Sequence, residues 1–154
     1  MNNSLKGNLL VIGQFILLGL LIFYPSNSIN YGPFALTVTI AIPVLLAMGV
    51  VILGLSFLAL GRSLTAHPIP AKQSELVTDG LYRFARHPIY TGVLAIGLAM
   101  ALSGGLFSHL LFFIALVALL NYKASFEEQL LRARYLDYAS YAEKTGRFLP
   151  KLKR

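Results

Sequence analysis

From Gly7 to Gly61 the chain runs 55 residues without a single Asp, Glu, Lys, Arg or His. A soluble domain cannot carry such a stretch, because its helices and strands need a polar face towards water. A bilayer span needs about 20 apolar residues, so the stretch has room for two. The turn-forming segment "PSNSINYGP" divides them. The first span is expected over about Leu9 to Tyr24 and the second over about Leu36 to Leu60, with Pro43 as a kink point. A cleaved signal peptide competes for the first span, since Lys6 precedes the apolar run and Ser26-Asn27-Ser28 offers small residues for cleavage.

A second apolar region follows a polar connector. A third span is expected from Pro88 to about Leu102 and a fourth from Leu106 to about Tyr122, joined at Ser103-Gly104-Gly105 as a helical hairpin. The sequence therefore predicts an all-α integral membrane protein of four transmembrane helices, with a C-terminal amphipathic cytoplasmic helix. The 61–87 segment is the cytoplasmic connector, and residues 123–154 form the cytoplasmic C-terminal segment. One domain accounts for all 154 residues. The 56% hydrophobic content and mean hydropathy of +0.70 agree with that class.

The net charge of +7 is unevenly placed. Arg62, Lys72, Arg83 and Arg86 lie in the connector, and eight further cations follow the fourth span, from Lys123 to Arg154. The loop between the first two spans has none. The positive-inside rule puts both termini and the connector in the cytoplasm of a multi-pass cell-membrane protein. Cations beside apolar runs suit membrane lipids, with their anionic headgroups, rather than nucleic acid. The absence of cysteine excludes disulfides and thiolate chemistry. Three scattered histidines give no metal-ligand spacing, so no metal is expected. His109, away from both charged regions, reads as an interfacial residue.

Two polar constellations thus share one membrane face. The first is "LYRFARHPIYTG", residues 81–92. Asp79-Gly80 makes a turn just before it. Pro88 suits the first turn of a helix and pushes His87 into an extended, capping position. Arg83 and Arg86 read as topology anchors, and Gly92 permits close approach by another helix or a flat ligand. The second constellation carries Glu127 and Glu128 near the end of the fourth span, where carboxylates are costly unless paired or used. Lys123 and Glu127 are i,i+4 neighbours, which also suits a local ion pair. Beyond them, leucines and tyrosines interleave with Arg132, Arg134 and Lys144 in an amphipathic pattern.

The pattern "ELVTDGLYRFARHPIYTG", a hairpin, "EEQLL" and a terminal "RFLP" resembles the isoprenylcysteine carboxyl methyltransferase family, related to the membrane phospholipid N-methyltransferases. The resemblance covers residues 67–150. It implies an integral-membrane enzyme that uses S-adenosylmethionine without a Rossmann fold. It also implies cofactor contacts at Leu76, Val77, Tyr82, His87, Pro88, Ile89, Tyr90 and Glu127, with His67 a further candidate. Lys123 occupies the position of a family arginine that contacts substrate, and Glu128 is an acid–base candidate. Lysine there substitutes a point charge for a bidentate fork. Tyr135-Leu136 stands where many relatives carry Phe-Gly.

The implied reaction is methyl transfer to a lipophilic or lipidated acceptor entering from the bilayer, a carboxylate as in protein-S-isoprenylcysteine. A phospholipid amine with Glu128 as base and a thiol are the alternatives within that class. Outside it stand an NADPH-dependent membrane reductase and a non-catalytic lipid-binding protein.

Overall fold

The computed structural model describes residues 2–27, 30–61, 76–104 and 106–151. Among the described residues, five α-helices follow in chain order: α1 (Asn3–Phe23), α2 (Ala35–Leu60), α3 (Pro88–Gly104), α4 (Leu106–Arg134) and α5 (Tyr138–Lys144). Short 3-10 turns, Gly32–Phe34 and Gly80–Arg83, precede α2 and the approach to α3. No strand occurs among the described residues, only an isolated parallel bridge between Ala85 and Gly146.

Among the described residues, three helices are long and apolar enough to cross a membrane: α1, α2 with its leading turn, and α4. The fourth apolar helix, α3, has 17 residues and extends about 26 Å at the usual rise. α1 begins earlier than the apolar run alone suggests. Asn2 caps it by accepting from the Ser4 amide at 3.2 Å. Lys6, inside its first turns, lies over the rings of Tyr122 and Phe126 at 4.8 and 4.4 Å, so the cation has aromatic faces to rest on. α1 stops at Tyr24, which is extended ahead of Pro25 as a pre-proline residue must be. α2 runs unbroken through Pro43.

The C-terminal segment departs from the expected layout. Residues 123–134 are not a separate surface helix: α4 is continuous for 29 residues and carries Lys123, Glu127 and Glu128 with it. Only the seven-residue α5 is independent. The physical reason is that "KASFEEQLLRAR" is composed of good helix formers with no Gly or Pro to break the run. Ser103 and Gly104 likewise belong to α3 rather than to a turn.

The helices pack antiparallel through small residues. Gly97 of α3 faces Leu116 and Phe113 of α4, while Gly104 faces His109, so the partner's number falls as Gly97 gives way to Gly104. α1 and α4 pair through Gly13 against Leu119 at the middle of α1 and through Tyr24 against His109 and Phe112 just past its end. His109 is therefore buried, at 2% exposure, not interfacial. Gly104 leaves it the room, since a Cβ there would come within 2.1 Å of its ring.

The most extensive helix contact joins α2 to α3. A Cβ on Gly49 would meet the Gly92 carbonyl at 2.8 Å, and one on Gly92 would meet the Gly49 carbonyl at 3.0 Å and Leu53 at 2.8 Å. The remaining faces of α1 and α2 are apolar and exposed, with Phe15, Leu36 and Leu58 among the outward side chains. Lipid tails are as apolar as leucine, so close packing rather than hydrophobic burial holds such helices together.

Substituting Gly92→Val should force α2 away from α3 and cost about 1–3 kcal/mol, read as a lowered unfolding temperature in detergent. Gly54→Ala, where a Cβ meets nothing within 4 Å, should leave that temperature unchanged or slightly raised.

Candidate functional site

The site lies at the end of the molecule where α1 begins, α2 ends, α3 begins and α4 ends. Its entrance is shaped by backbone chemistry. Gly80 adopts φ +58°, a conformation that favours glycine, and the Tyr82 amide closes the turn onto the Asp79 carbonyl at 3.0 Å. Tyr82 is buried by this turn. Pro88 opens α3, and the carbonyl of His87 accepts the helix's first amide bond, from Thr91 at 3.2 Å. His87 thus caps α3 with its side chain turned inward, 5% exposed.

The terminal "GRFLP" lies alongside this entrance. The Gly146 amide donates to Phe84 O (3.3 Å), Arg86 to Gly146 O (2.9 Å) and His87 to Arg147 O (3.0 Å). The Thr91 hydroxyl adds a bond to Phe148 O at 2.6 Å. Only glycine fits at 146, because a Cβ would approach the Leu149 carbonyl to 1.7 Å. From α5, the Tyr141 hydroxyl donates to the Tyr82 carbonyl at 2.6 Å. The Phe148 ring then stands edge-on to His87 and Tyr90, 6.2 and 6.4 Å away.

Glu128 binds these parts together. Its Oε1 accepts from Arg86 Nε and Arg147 Nε, both at 3.1 Å, and Arg147 Nη2 reaches Oε2 at 2.9 Å. His87 Nε2 approaches Oε1 at 3.3 Å. Arg86 also donates to the carbonyls of Ala142 and Thr145, and Arg147 to Asn121 at 3.0 Å. A buried carboxylate is tolerable only with such complete pairing. Arg86 is therefore more than a topology anchor: it links connector, α4 and α5. Glu128, an acid–base candidate from its position in the sequence, is committed to three cationic or hydrogen-bonding partners here.

Glu127, about 100° further round the helix, faces another way. It is half-buried and accepts the Tyr90 hydroxyl at 2.8 Å. His87 Nδ1 stands 3.6 Å from the same oxygen, so the imidazole lies between the two glutamates. The His87 and Tyr90 rings stack in parallel, 5.1 Å apart. Lys123, one turn before Glu127, is buried and places Nζ 5.2 Å from the centre of the Tyr90 ring while donating to Gln14 Oε1 at 2.7 Å. Burial, and then the nearby Glu127 and Tyr141, hold the Tyr82 hydroxyl protonated well above the ordinary phenol range.

His87, Tyr90, Glu127 and Lys123 are thus brought together, with Tyr82 within electrostatic reach. Pro88 is buried beside them, whereas Ile89 packs against the apolar core formed by Leu116 and Leu120. Leu76 and Val77 are half-buried in the coil ahead of the Asp79 turn. His67 lies outside the described residues. Among the described residues no group of three or more His, Cys, Asp or Glu is placed to hold a metal ion. Arg147, Tyr138 and Gln14 are parts of this region that sequence reasoning passed over. Adjacent glutamates on a helix must find two different sets of partners, which is the signal that points to Arg147.

Glu128→Ala should leave two guanidinium groups without their shared anion and cost about 3–5 kcal/mol. Unfolding temperature and limited proteolysis after Arg147 read this, with cleavage expected to accelerate. Glu127→Gln, at the half-exposed neighbour, should change both far less.

Comparison with known proteins bears on this geometry. Residues 36–137 match the family model for phospholipid methyltransferase, a segment that starts in α2 and ends just before α5. Over 117 residues the chain is 36% identical to the cobalt-zinc-cadmium resistance protein CzcN of Cupriavidus metallidurans, covering 71% of this chain and 51% of that protein. Over 113 residues it is 35% identical to a probable protein-S-isoprenylcysteine O-methyltransferase of Oryza sativa subsp. indica, covering 70% of this chain and 58% of the relative, and the same figures hold for its japonica counterpart. The chain spans about half the length of the curated relatives it matches. With more than half of its residues in the family match, the chain belongs to the phospholipid methyltransferase family, in the part related to the isoprenylcysteine carboxyl methyltransferases.

Proposed function

We propose that this chain is an integral-membrane methyltransferase that uses S-adenosylmethionine to methylate a lipophilic acceptor, a carboxylate of the kind carried by a protein-S-isoprenylcysteine. The observation that carries the reading is the half-buried Glu127, held by Tyr90 and His87 at the foot of an apolar helix set. In this reading α3 completes a fourth span, and the charged end, with both termini, faces the cytoplasm.

The residues fit the cofactor's polar groups. Glu127 keeps part of its surface open to an ammonium, and the adjacent Tyr90 and Phe148 rings suit a sulfonium or an adenine face. Tyr138 adds an observation of the same kind: its hydroxyl is buried and has no hydrogen-bond partner among the described residues, so a polar group bound beside it would satisfy it. S-adenosylmethionine supplies an electrophilic methyl on a positively charged sulfur. His87, Tyr90 and Glu127 hold and orient, and alignment provides most of the acceleration for an in-line displacement.

A carboxylate acceptor is already a nucleophile and needs no base. Lys123 stands next to the cluster on the apolar side, where its ammonium would orient such a group. The second reading, transfer to a phospholipid amine, is favoured by the family model that matches. It requires a proton acceptor, and Glu128 is taken up by Arg86, Arg147 and His87.

Thermal stabilisation of detergent-purified protein tests the reading. Ligand at a hundred times its Kd adds about 2.7 kcal/mol, so S-adenosylmethionine and S-adenosylhomocysteine should raise the unfolding temperature and NADPH should not. No shift with either adenosyl compound in folded protein would sink the proposal, and a shift with NADPH alone would favour a reductase. His87→Ala and Glu127→Ala should each weaken S-adenosylhomocysteine binding about tenfold or more, the scale of a lost hydrogen bond to a charged group. Lys123→Ala should leave that binding intact and lower kcat/KM for the acceptor. Radiolabelled methyl transfer into a total lipid extract, followed by product identification, separates carboxylate, amine and thiol acceptors.

A further inference from the structure

α1 lies wholly outside the 36–137 family match, yet it reaches the site through Gln14. Gln14 is a polar side chain in the otherwise apolar middle of α1, "LLVIGQFILL". Its Oε1 accepts from Lys123 Nζ at 2.7 Å, across the α1–α4 contact. Gly13 beside it makes the approach possible, since a Cβ there would meet Leu119 at 2.9 Å. The held ammonium faces the Tyr90 ring, and the Tyr90 hydroxyl in turn donates to Glu127. Four side chains from three helices therefore form one continuous line, from the apolar interior of α1 to the half-exposed carboxylate.

We propose that Gln14 is a positioning residue for acceptor recognition: by fixing the Lys123 ammonium against Tyr90, α1 sets where an anionic acceptor group comes to rest. The proposal rests on the methyltransferase reading and deepens it. A lysine side chain is a flexible point charge with a long stem. An amide oxygen at short range removes much of that freedom and makes the charge directional. Inside an apolar helix contact, a glutamine without such a role would be a costly choice, because its amide must find partners away from water.

The test uses the full chain in lipid nanodiscs, comparing Gln14→Leu and Gln14→Met, which lack the acceptor oxygen, with Gln14→Glu, which retains it. N-acetyl-S-farnesylcysteine serves as the carboxylate probe and phosphatidylethanolamine as the amine probe. The two apolar variants should raise KM for the carboxylate probe about tenfold, the scale of a hydrogen bond to a charged group. Under the same conditions kcat and S-adenosylhomocysteine affinity should stay nearly unchanged. Gln14→Glu should hold the ammonium as glutamine does but neutralise it, so its KM should stay raised while the lysine remains fixed.

An activity-independent measurement runs beside it, namely the acylation rate of Lys123 by an amine-reactive acetyl ester, read by mass spectrometry against Lys144. Loss of Gln14's hold should raise Lys123 labelling several-fold in the apolar variants and not in Gln14→Glu. Unchanged labelling overturns the proposal, whatever the chain methylates. Raised labelling with unchanged KM, or with KM and S-adenosylhomocysteine affinity worsening together, reduces Gln14 to a packing residue and overturns it as well. Failure of the wild-type chain to bind S-adenosylhomocysteine would instead strike the methyltransferase reading and the acceptor role together, while the labelling result still decides whether Gln14 holds Lys123.

Discussion

Glu128 is the point through which the polar end of this protein is assembled. One carboxylate gathers a guanidinium from the connector, a guanidinium from the C-terminal segment and the imidazole that caps α3. Each of those groups is costly to bury alone, and together they cancel. The consequence is geometric. With Arg86 and Arg147 tied to one anion, the 84–87 and 145–148 segments are held in register for their backbone bonds. His87 is then set between two glutamates with its ring parallel to Tyr90.

The adjacent glutamates divide the labour because the helix turns by about 100° per residue. Glu128 points into the clasp and is saturated by it. Glu127 points to the partly open side, where a hydroxyl and an imidazole approach one of its oxygens. A rigid anchor next to a partly accessible carboxylate is the arrangement a preorganised binding site requires. The apolar helices supply its other wall. Their contacts run through Gly13, Gly49, Gly92 and Gly97, which bring backbones close enough for side chains as short as glutamine to span between helices.

Much of this was legible in the residues. The uncharged run, the two apolar segments behind it and the cation-rich face identify a helical membrane protein, since no other solvent tolerates that pattern. Pro88 marks the start of α3, and Asp79-Gly80 marks the turn before it, because both residue types restrict or free the backbone locally. The pairing of "RHPIY" with "EE" was readable as well. The continuity of α4 past Tyr122 was harder to see: the change from apolar to charged composition imitates a boundary, whereas helix propensity continues across it.

Local chemistry in the sequence thus determined the membrane class, the start of α3 and the residue types of the site, because capping, hydropathy and turn preference act over a few residues. Which cation serves which carboxylate was decided only by tertiary structure. Arg86 and Glu128 are 42 positions apart and Gln14 and Lys123 are 109 apart, and nothing in either segment alone distinguishes a clasp arginine from a topology anchor. That choice depends on how closely the glycines let the helices approach and on the cost of leaving a buried charge unpaired. Both are properties of the packed chain.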